Sequence, residues 1–234
     1  MRASGHTDRG KVRRENQDVF LIRPIGKTGV LLVLCDGVGG HKGGKVAATL
    51  AADVFSYTAV DRCRRLPEKA AQESVETALR EAVMAANRKV YEGSLSDHVN
   101  AGMSCTLAAV LVFDRRAYRV HVGDSRIWLM HARRLRLLSK DHTVGETLGR
   151  RSHRLSRAIG GAATVEPDIA VFPFAAGDVC VLTSDGVHGN LASAEIAKLL
   201  RTQDAPDSAA KALVSLAVSE YGDDNATAVV LYYD

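Results

Sequence analysis

The 234-residue sequence predicts an α+β fold with antiparallel sheets, and two observations carry that prediction. Segments with helical spacing of apolar residues come in consecutive pairs, and apolar strand-like segments come in consecutive runs. That order differs from the regular strand–helix alternation of a parallel sheet. We expect a single domain over residues 1–234, because the length suits one core and neither a linker nor a low-complexity tract interrupts it.

The first half of the chain predicts three strands and then a pair of helices. Two short strands within residues 3–24 surround a polar turn, and a strongly apolar strand over 30–35 ends at Asp36. Apolar residues at helical spacing predict one helix over 44–59. A longer helix is predicted to begin near Pro67 and to end near Gly93, residue types that favour those two positions.

The second half predicts a run of strands, two helices and a last strand. Strands are expected over 106–113, 118–122, 126–130, 135–138, 169–174 and 179–183, whereas residues 141–164 allow no firm assignment. Ser193 is a candidate cap for a helix that runs to Leu200. A second helix is predicted from Asp207 to about Glu220, followed by a strand over 226–232.

The bulk composition argues against several classes of partner. The net charge of +4 is too mild to indicate nucleic-acid binding by itself. The first residues lack the apolar segment of a signal peptide, and no apolar run approaches the roughly 18 residues of a membrane span. The four cysteines are scattered without C-x-x-C spacing, which favours a reducing, cytoplasmic setting and no cysteine-type zinc site. We therefore expect neither a nucleic-acid nor a membrane partner.

Five carboxylates lie at predicted strand ends or turns, most of them beside Gly, Asn or Ser: Asp18, Asp36, Asp124, Asp185 and Asp224. If they converge, they repel one another unless cations bind or protons are shared. Oxygen ligands with little His or Cys select hard ions such as Mg²⁺ or Mn²⁺ over Zn²⁺. The pattern therefore predicts a two-metal hydrolytic centre that acts on a phosphoryl group.

Asp36 and Asp185 both follow an apolar strand and share the text Asp-Gly-Val-x-Gly. Taken singly, each copy is equally compatible with an ordinary Asp-Gly turn. Arg13 lies just upstream of Asp18, and its guanidinium offers a two-pronged donor for a phosphate dianion. The alternative for Arg13 is a solvated surface side chain.

Five segments resemble, in chain order, the signature segments of PP2C-type (PPM family) serine/threonine phosphatases, with the smaller bacterial members most similar. They are Arg13-x-x-Asn16-Gln17-Asp18, Asp36-Gly37-Val38-Gly39-Gly40-His41, Gly123-Asp124-Ser125-Arg126, Ser184-Asp185-Gly186 and Asp224-Asn225-Ala226-Thr227. The resemblance covers nearly the whole chain. It implies a four-layer αββα sandwich, in which helix pairs flank two central antiparallel β-sheets and the metal centre lies at one end.

The resemblance also implies a role for each matching residue. Asp36 would bridge two metals, Asp185 and Asp224 would hold the first, and the Gly37 carbonyl would help to hold the second. Asp18 would support the waters of the second metal. At a third, weaker site Asp124 would join Asp185, and Arg13 would bind the phosphate.

The implied activity is hydrolysis of phosphoserine and phosphothreonine in proteins. A metal-bridging water would attack phosphorus in line, without a phosphoenzyme, and two to three Mn²⁺ or Mg²⁺ ions would be the cofactors. The implied partners are phosphorylated protein substrates and a serine/threonine kinase whose action the enzyme reverses. We expect a cytoplasmic monomer.

The sequence departs from the family pattern in three ways. Gln17 replaces a frequent Glu near the second metal, and Val38 stands where some eukaryotic members have a proposed general-acid His. His41 and His142 are near in sequence, but nothing in the sequence favours either of them as a replacement. The segment after Asp141 is short and contains five basic residues: Arg150, Arg151, His153, Arg154 and Arg157. We hypothesise that this segment binds acidic segments of the substrate, and the alternative is a solvated loop.

Other functions remain open on the sequence alone. Residues 39–45 match the G-x-x-x-x-G-K text of a P-loop nucleotide hydrolase, but Val46 replaces the Ser or Thr that binds Mg²⁺. A non-catalytic phosphoprotein-binding relative is a second alternative, although such proteins usually lose metal ligands and here Asp36, Asp185 and Asp224 are all present. A metal-dependent nuclease is a third, which no stacking aromatic residues or basic stripe supports.

Overall fold

Two five-stranded antiparallel sheets form the centre of the molecule, for which the computed structural model describes residues 1–26, 28–38, 43–67, 69–96, 100–144 and 154–234. The first sheet has the spatial order β1 (Arg2–Asp8), β12 (Ala226–Tyr232), β11 (Val179–Thr183), β8 (Arg126–His131) and β9 (Arg134–Leu137). The second has the order β10 (Asp168–Phe172), β7 (Arg116–Val122), β6 (Leu107–Phe113), β3 (Gly29–Cys35) and β2 (Val19–Ile25). A two-stranded ladder pairs β4 (Gly37–Val38) with β5 (Ser104–Cys105).

Helices cover the outer face of each sheet. The pair α1 (Gly43–Arg64) and α2 (Gln72–Ser96) shares one hydrophobic core with the second sheet. The short α3 (Asp185–His188) lies with α4 (Ser193–Thr202) and α5 (Pro206–Glu220) in another core on the first sheet. A third core fills the space between the sheets. This arrangement confirms the predicted α+β sandwich of four layers.

The strand sequences explain why both faces of each sheet are covered. In β3, Leu32 and Leu34 point to the core between the sheets, whereas Leu31 and Val33 point to the helix side. β12 behaves in the same way, with Val229 and Leu231 in the central core. Because successive side chains alternate between faces, a strand buried on both sides becomes a continuous apolar run.

Antiparallel pairing brings several chain segments to one end of the sandwich. The register sets Asp8 against Ala226 in the first sheet and Val19 against Cys35 in the second. The end of β1, the starts of β2 and β12, and the end of β3 therefore meet at the same edge. The turn between β7 and β8 and the end of β11 reach it as well, since Thr183 pairs with both Arg126 and Ala228.

Three boundaries differ from the sequence prediction. α1 continues to Arg64 instead of ending near 59, because Ala59 and Cys63 extend its buried stripe. α2 begins at Gln72 rather than at Pro67. The cap of α4 is Ala192 and not Ser193, because the Glu195 carboxylate accepts the Ala192 backbone N–H at 2.8 Å. Within the described ranges, none of the helices combines the length and the apolar character that crossing a bilayer requires.

Candidate metal centre

Asp36 is held by its backbone at the point where β3 leaves the second sheet. Its N–H donates to the Thr106 hydroxyl at 2.9 Å, and its carbonyl accepts the Thr106 backbone N–H at 2.9 Å. The Thr106 hydroxyl is in turn 2.7 Å from that of Ser125, which follows Asp124. This two-bond clamp fixes the main chain of Asp36 and leaves its carboxylate to face the end of the sandwich.

Asp18 lies at the start of β2 and is buried, with 2% of its surface exposed. The Thr227 hydroxyl donates to one carboxylate oxygen, Oδ2, at 2.6 Å. The other oxygen, Oδ1, is buried without a hydrogen-bond partner in the described part of the chain. Lys45 Nζ donates to the Asp18 backbone carbonyl at 3.0 Å. Lys45, which ends the segment that resembles a P-loop, thus stabilises the backbone at Asp18.

Asp224 lies just before β12 and forms an ion pair with Arg13 across the β1–β2 loop. The distance from Arg13 Nη2 to Asp224 Oδ2 is 2.7 Å, and the arginine side chain stays 46% exposed. Gly10 has φ of +75°, and a Cβ there would lie 2.2 Å from the Asp224 carbonyl oxygen. Only glycine therefore allows this loop to pass so close to Asp224.

The side-chain amide of Asn225 joins the same two segments. Its oxygen accepts the Gln17 backbone N–H at 2.9 Å, and its nitrogen donates to the carbonyls of Arg9 and Glu15. All of these are backbone groups that would otherwise lack a partner in an irregular loop. Asn225 thereby fixes the loop that carries Arg13.

The raised pKa values of Asp36, Asp18 and Asp124 show that the five acids lie close enough to repel one another. Burial and then the charges of the other four acids hold the pKa of Asp36 well above its usual range. Burial, opposed by hydrogen bonds from Thr227 and Ser184, raises the pKa of Asp18 to about 6. Burial followed by the charge of Asp185 raises the pKa of Asp124 to about 7. All five predicted acids therefore share one electrostatic environment.

Arg13 is a cation of this environment, and the charge of Arg126 acts on Asp124 as well. The hydrogen bond to Asp224 is the main cause that raises the pKa of the Arg13 guanidinium, and the charges of Asp185 and Asp36 add to the shift. These cations leave the pKa of Asp36, Asp18 and Asp124 raised, so they do not neutralise the five carboxylates. The cluster is therefore a high-energy arrangement that a divalent cation would stabilise.

The donor set fits hard divalent cations. It consists of carboxylate oxygens with backbone carbonyls nearby, the ligand type that Mg²⁺ and Mn²⁺ prefer. Oδ1 of Asp18 is a strong acceptor that is buried without a hydrogen-bond partner in the described residues, and the charges of Asp185 and Asp224 act on its carboxylate. A bound cation would satisfy such an atom and relieve the repulsion among the acids.

Gly37 follows Asp36 and pairs with Cys105 in the β4–β5 ladder. A Cβ on Gly37 would lie 2.4 Å from the Gly44 carbonyl oxygen at the start of α1. The Gln17 side chain packs against Gly44 in turn. Gln17 and Gly37 thus share the neighbourhood of the acids, whereas residues 39–42, including His41, lie outside the described residues.

His142 is buried and belongs to a neighbouring cluster with His121 and Asp168. One ligand atom of each residue lies within 4.8 Å of the other two. The Gly123 N–H donates to His142 Nδ1 at 3.2 Å, so Nε2 carries the proton and donates to Asp168 at 3.2 Å. These bonds support the turn before Asp124 and do not turn the His142 ring toward the five acids.

The basic segment is only partly described. Arg150, Arg151 and His153 lie outside the described residues. Arg157 donates to the carboxylate of Asp168 and to the carbonyl of Glu166, both at 3.0 Å. These bonds give Arg157 a structural role, and the docking hypothesis for the basic segment stays a prediction.

Three supporting residues have roles that the sequence analysis did not assign: Thr106, Asn225 and Thr227. Thr106 and Thr227 are buried, and Asn225 is 6% exposed. Each bonds to a segment distant in sequence, for instance 209 positions away for Thr227 and Asp18. Asn225 and Thr227 lie in one of the five family-like segments, but that resemblance does not reveal the groups that they bond.

Comparison with known proteins agrees with this geometry. The family model for protein phosphatase 2C matches residues 4–217. The chain is 29% identical to the serine/threonine phosphatase stp of Listeria monocytogenes, over 100% of this chain and 96% of that protein. It is 30% identical to the solved structure of the Mycobacterium tuberculosis serine/threonine phosphatase PstP/Ppp, with a TM-score of 0.82 over 98% of this chain and 97% of that one. Staphylococcus aureus serine/threonine phosphatase Stp1 superposes with a TM-score of 0.86 at 26% identity, over 99% of this chain and 94% of that one.

Proposed function

Because the chain belongs to the protein phosphatase 2C family, we propose that its acid cluster binds two or three Mg²⁺ or Mn²⁺ ions for the hydrolysis of phosphoserine and phosphothreonine in proteins. As a member of this family, the chain is a phosphoprotein phosphatase. The observation that carries the proposal is the convergence of five carboxylates, with a buried and unpaired oxygen of Asp18 among them.

The roles of the acids are those that the family resemblance implies for the matching positions. Asp36, which has the charges of the other four acids around it, would hold two of the ions. Asp185 and Asp224 would hold the first ion, and the Gly37 carbonyl with Asp18 would serve the second. The third site would use Asp124 together with Asp185. The raised pKa of Asp124 has burial as its largest cause and the charge of Asp185 as its second.

When bound, such ions supply a strongly polarised water and neutralise phosphoryl charge. The chain supplies the rest of the geometry. Arg13 lies on an exposed loop with its guanidinium beside Asp224. From there the guanidinium can donate hydrogen bonds to two phosphate oxygens. The Thr106 clamp and the Thr227 bond keep two of the acids in place before substrate arrives. Such preorganisation avoids a reorganisation cost during the reaction.

The physiological setting is also a proposal. We infer that the enzyme opposes a serine/threonine protein kinase and works as a cytoplasmic monomer over residues 1–234. The four cysteines are all free and buried, which suits a reducing compartment.

The decisive experiment compares wild type, Asp36→Asn and the matched control Asp53→Asn, which changes an exposed acid on α1. Each protein is assayed on p-nitrophenyl phosphate and on a phosphothreonine peptide, with Mn²⁺ or with EDTA. We expect turnover only with the metal, a loss of at least about 100-fold in Asp36→Asn and full activity in Asp53→Asn. EDTA-resistant turnover, or an active Asp36→Asn protein, would contradict the proposal.

A further inference from the structure

Two buried histidines hold the backbone on either side of Asp124. The Gly123 N–H donates to His142 Nδ1 at 3.2 Å, and the His142 N–H donates to the Gly123 carbonyl at 2.8 Å. His121 Nε2 lies 2.8 Å from the Ser125 carbonyl, which can only accept, so this nitrogen carries the ring proton. Asp124 therefore stands between two neighbours that are each bonded to an imidazole.

His121 and His142, the histidine pair, also contact each other. Their ring centroids are 4.8 Å apart, and both residues are buried. Burial lowers the pKa of His121 to about 4 and lowers the pKa of His142 as well, so both rings are neutral at pH 7. A neutral imidazole has one donor and one acceptor, so each ring can make these bonds in one orientation only.

The histidine pair and Asp168 have the residue types of a metal site, but their hydrogen bonds argue against that use. A histidine binds a metal through a nitrogen that carries no proton. In His142 that nitrogen is Nδ1, which already accepts the Gly123 N–H, while Nε2 donates to Asp168 at 3.2 Å. Of the two rings, His121 Nδ1 alone is left as a ligand, buried without a hydrogen-bond partner in the part of the chain that the structure describes.

The turn that the histidine pair holds is connected to the acid cluster on both sides. The Ser125 hydroxyl is 2.7 Å from that of Thr106, which accepts the Asp36 backbone N–H at 2.9 Å. The charge of Asp185 acts on Asp124, so these two acids lie close together. A shift of the turn would therefore move Asp124 relative to Asp36 and to Asp185.

We propose that the histidine pair positions Asp124 and thereby sets the affinity of the third metal site, while the first two sites do not depend on it. The inference rests on the proposed function and names the residues that control one of its ions. His121 and His142 act through the backbone and are positioning residues. Loss of a group that orients a metal ligand typically weakens metal binding by about 10–100-fold.

The variants separate the hydrogen bonds from the volume of the rings. His142→Asn keeps an acceptor near Nδ1 and His121→Gln keeps a donor near Nε2, whereas Leu at either position removes the bond. His131→Leu is the matched control, because it also removes one histidine bond, to Asp178. His131 ends β8 about 17 Å from Arg126, the residue at the Asp124 end of that strand.

The first measurement is direct binding of Mn²⁺ to the metal-free proteins, followed by the EPR signal of the free ion. Asp124→Asn identifies the binding step that belongs to the third site. We expect His121→Leu and His142→Leu to weaken that step by about tenfold or more and the other steps by less than twofold. His142→Asn, His121→Gln and His131→Leu should stay within about threefold of wild type.

A double variant tests whether the effect passes through Asp124. Adding His142→Leu to Asp124→Asn should weaken Mn²⁺ binding no further, because the ligand that the ring positions is already absent. A further loss of tenfold in the double variant would mean that His142 acts elsewhere, and the inference would be wrong.

The second measurement needs neither metal nor turnover. The ¹⁵N NMR signals of the imidazoles in the metal-free protein at pH 7 should show both rings as the neutral Nε2–H tautomer. A different tautomer in either ring would contradict the inference. So would loss of the His142 Nε2 proton on addition of Zn²⁺, because the cluster with Asp168 would then be a metal site itself.

The binding data overturn the inference if the Leu variants bind every ion as wild type does, or if they weaken all steps equally. Thermal melts check folding, and His142→Gln, which has no acceptor near Nδ1, replaces a Leu variant that does not fold. Absence of both Mn²⁺ binding and p-nitrophenyl phosphate turnover in wild type would instead overturn the proposed function, and the role of the histidine pair with it.

Discussion

At the scale of single residues, Arg13 shows how one exposed side chain gains a defined orientation. Its guanidinium is 2.7 Å from Asp224, so that acid sets its direction while 46% of the side chain remains exposed. A lysine would carry the same charge but could not present two parallel donors.

We therefore expect Arg13→Lys to lower kcat/KM by about tenfold and Arg13→Ala by about 100-fold, because a charge-assisted hydrogen bond contributes about 1.5–3 kcal/mol. The loss should be similar for p-nitrophenyl phosphate and for phosphopeptides, since both present the same phosphate. Arg14→Ala, a change in the neighbouring exposed arginine, is the control. Equal activity of Arg13→Ala and Arg14→Ala would remove Arg13 from the site.

The sequence predicted the acids of this centre but not the hydroxyls that hold them. Asp18 and Asp36 stand out because they belong to a set of five carboxylates at predicted strand ends or turns. Thr106 and Thr227 do not stand out, because a threonine in a strand is ordinary. Their role depends on partners 70 and 209 positions away, which no local pattern reveals.

At the scale of elements, the short helix α3 joins the first sheet to the acid cluster. His188 at its end has Nδ1 at 2.9 Å from the Thr183 hydroxyl, and the Trp128 indole N–H donates to that same hydroxyl at 3.0 Å. The Thr183 hydroxyl therefore connects the two side chains. This chain of bonds sets α3, and with it Asp185, against the end of β11.

The state of His188 predicts a dependence of stability on pH. Burial lowers the pKa of His188 to about 3, below the ordinary value of about 6.5 in an unfolded chain. Between these values the unfolded chain binds more protons, so the contribution of His188 is complete above pH 6.5 and decreases as the pH falls. We expect the stability advantage of wild type over His188→Asn to shrink by up to about 1.4 kcal/mol per pH unit from 6 to 4.

Urea unfolding of both proteins at each pH, in a buffer of constant ionic strength, measures this difference. Comparing two variants cancels the titration of groups that both retain. A constant difference across the range would mean that His188 is protonated in the folded protein.

The sequence predicted the type of each helix and strand correctly, because the local pattern of apolar residues agrees with the element that forms. Some element boundaries were not predicted correctly. Pro67 suits the first turn of a helix, yet α2 begins five residues later. The α4 cap is Ala192, whose backbone N–H donates to the Glu195 carboxylate, and Ser193 becomes the first residue of the helix. Helix ends of this kind shift by a few residues among local options of similar energy.

At the scale of the whole molecule, the acid cluster opposes folding when no metal is bound. Burial and mutual repulsion raise the pKa of Asp36, Asp18 and Asp124, which means that their charged forms are disfavoured in the folded state. A ligand that binds only the folded state would reverse this penalty.

We therefore expect Asp36→Asn in EDTA at pH 7.5 to melt at a higher temperature than wild type, by roughly 4 °C for about 1–2 kcal/mol of relieved repulsion. Mn²⁺ should raise the melting temperature of wild type but have little effect on Asp36→Asn. The control Asp53→Asn should follow wild type in both conditions. A lower melting temperature for Asp36→Asn in EDTA would show that the carboxylate stabilises the metal-free fold.

The pairing of β1 with β12 has a consequence for protein synthesis. Arg2 lies opposite Tyr232, so β1 completes its sheet only after β12 has emerged from the ribosome. The acid cluster needs both segments as well, because Arg13 and Asp18 lie near β1 whereas Asp224 and Thr227 lie near β12. A chain whose synthesis stops before β12 therefore cannot assemble this cluster.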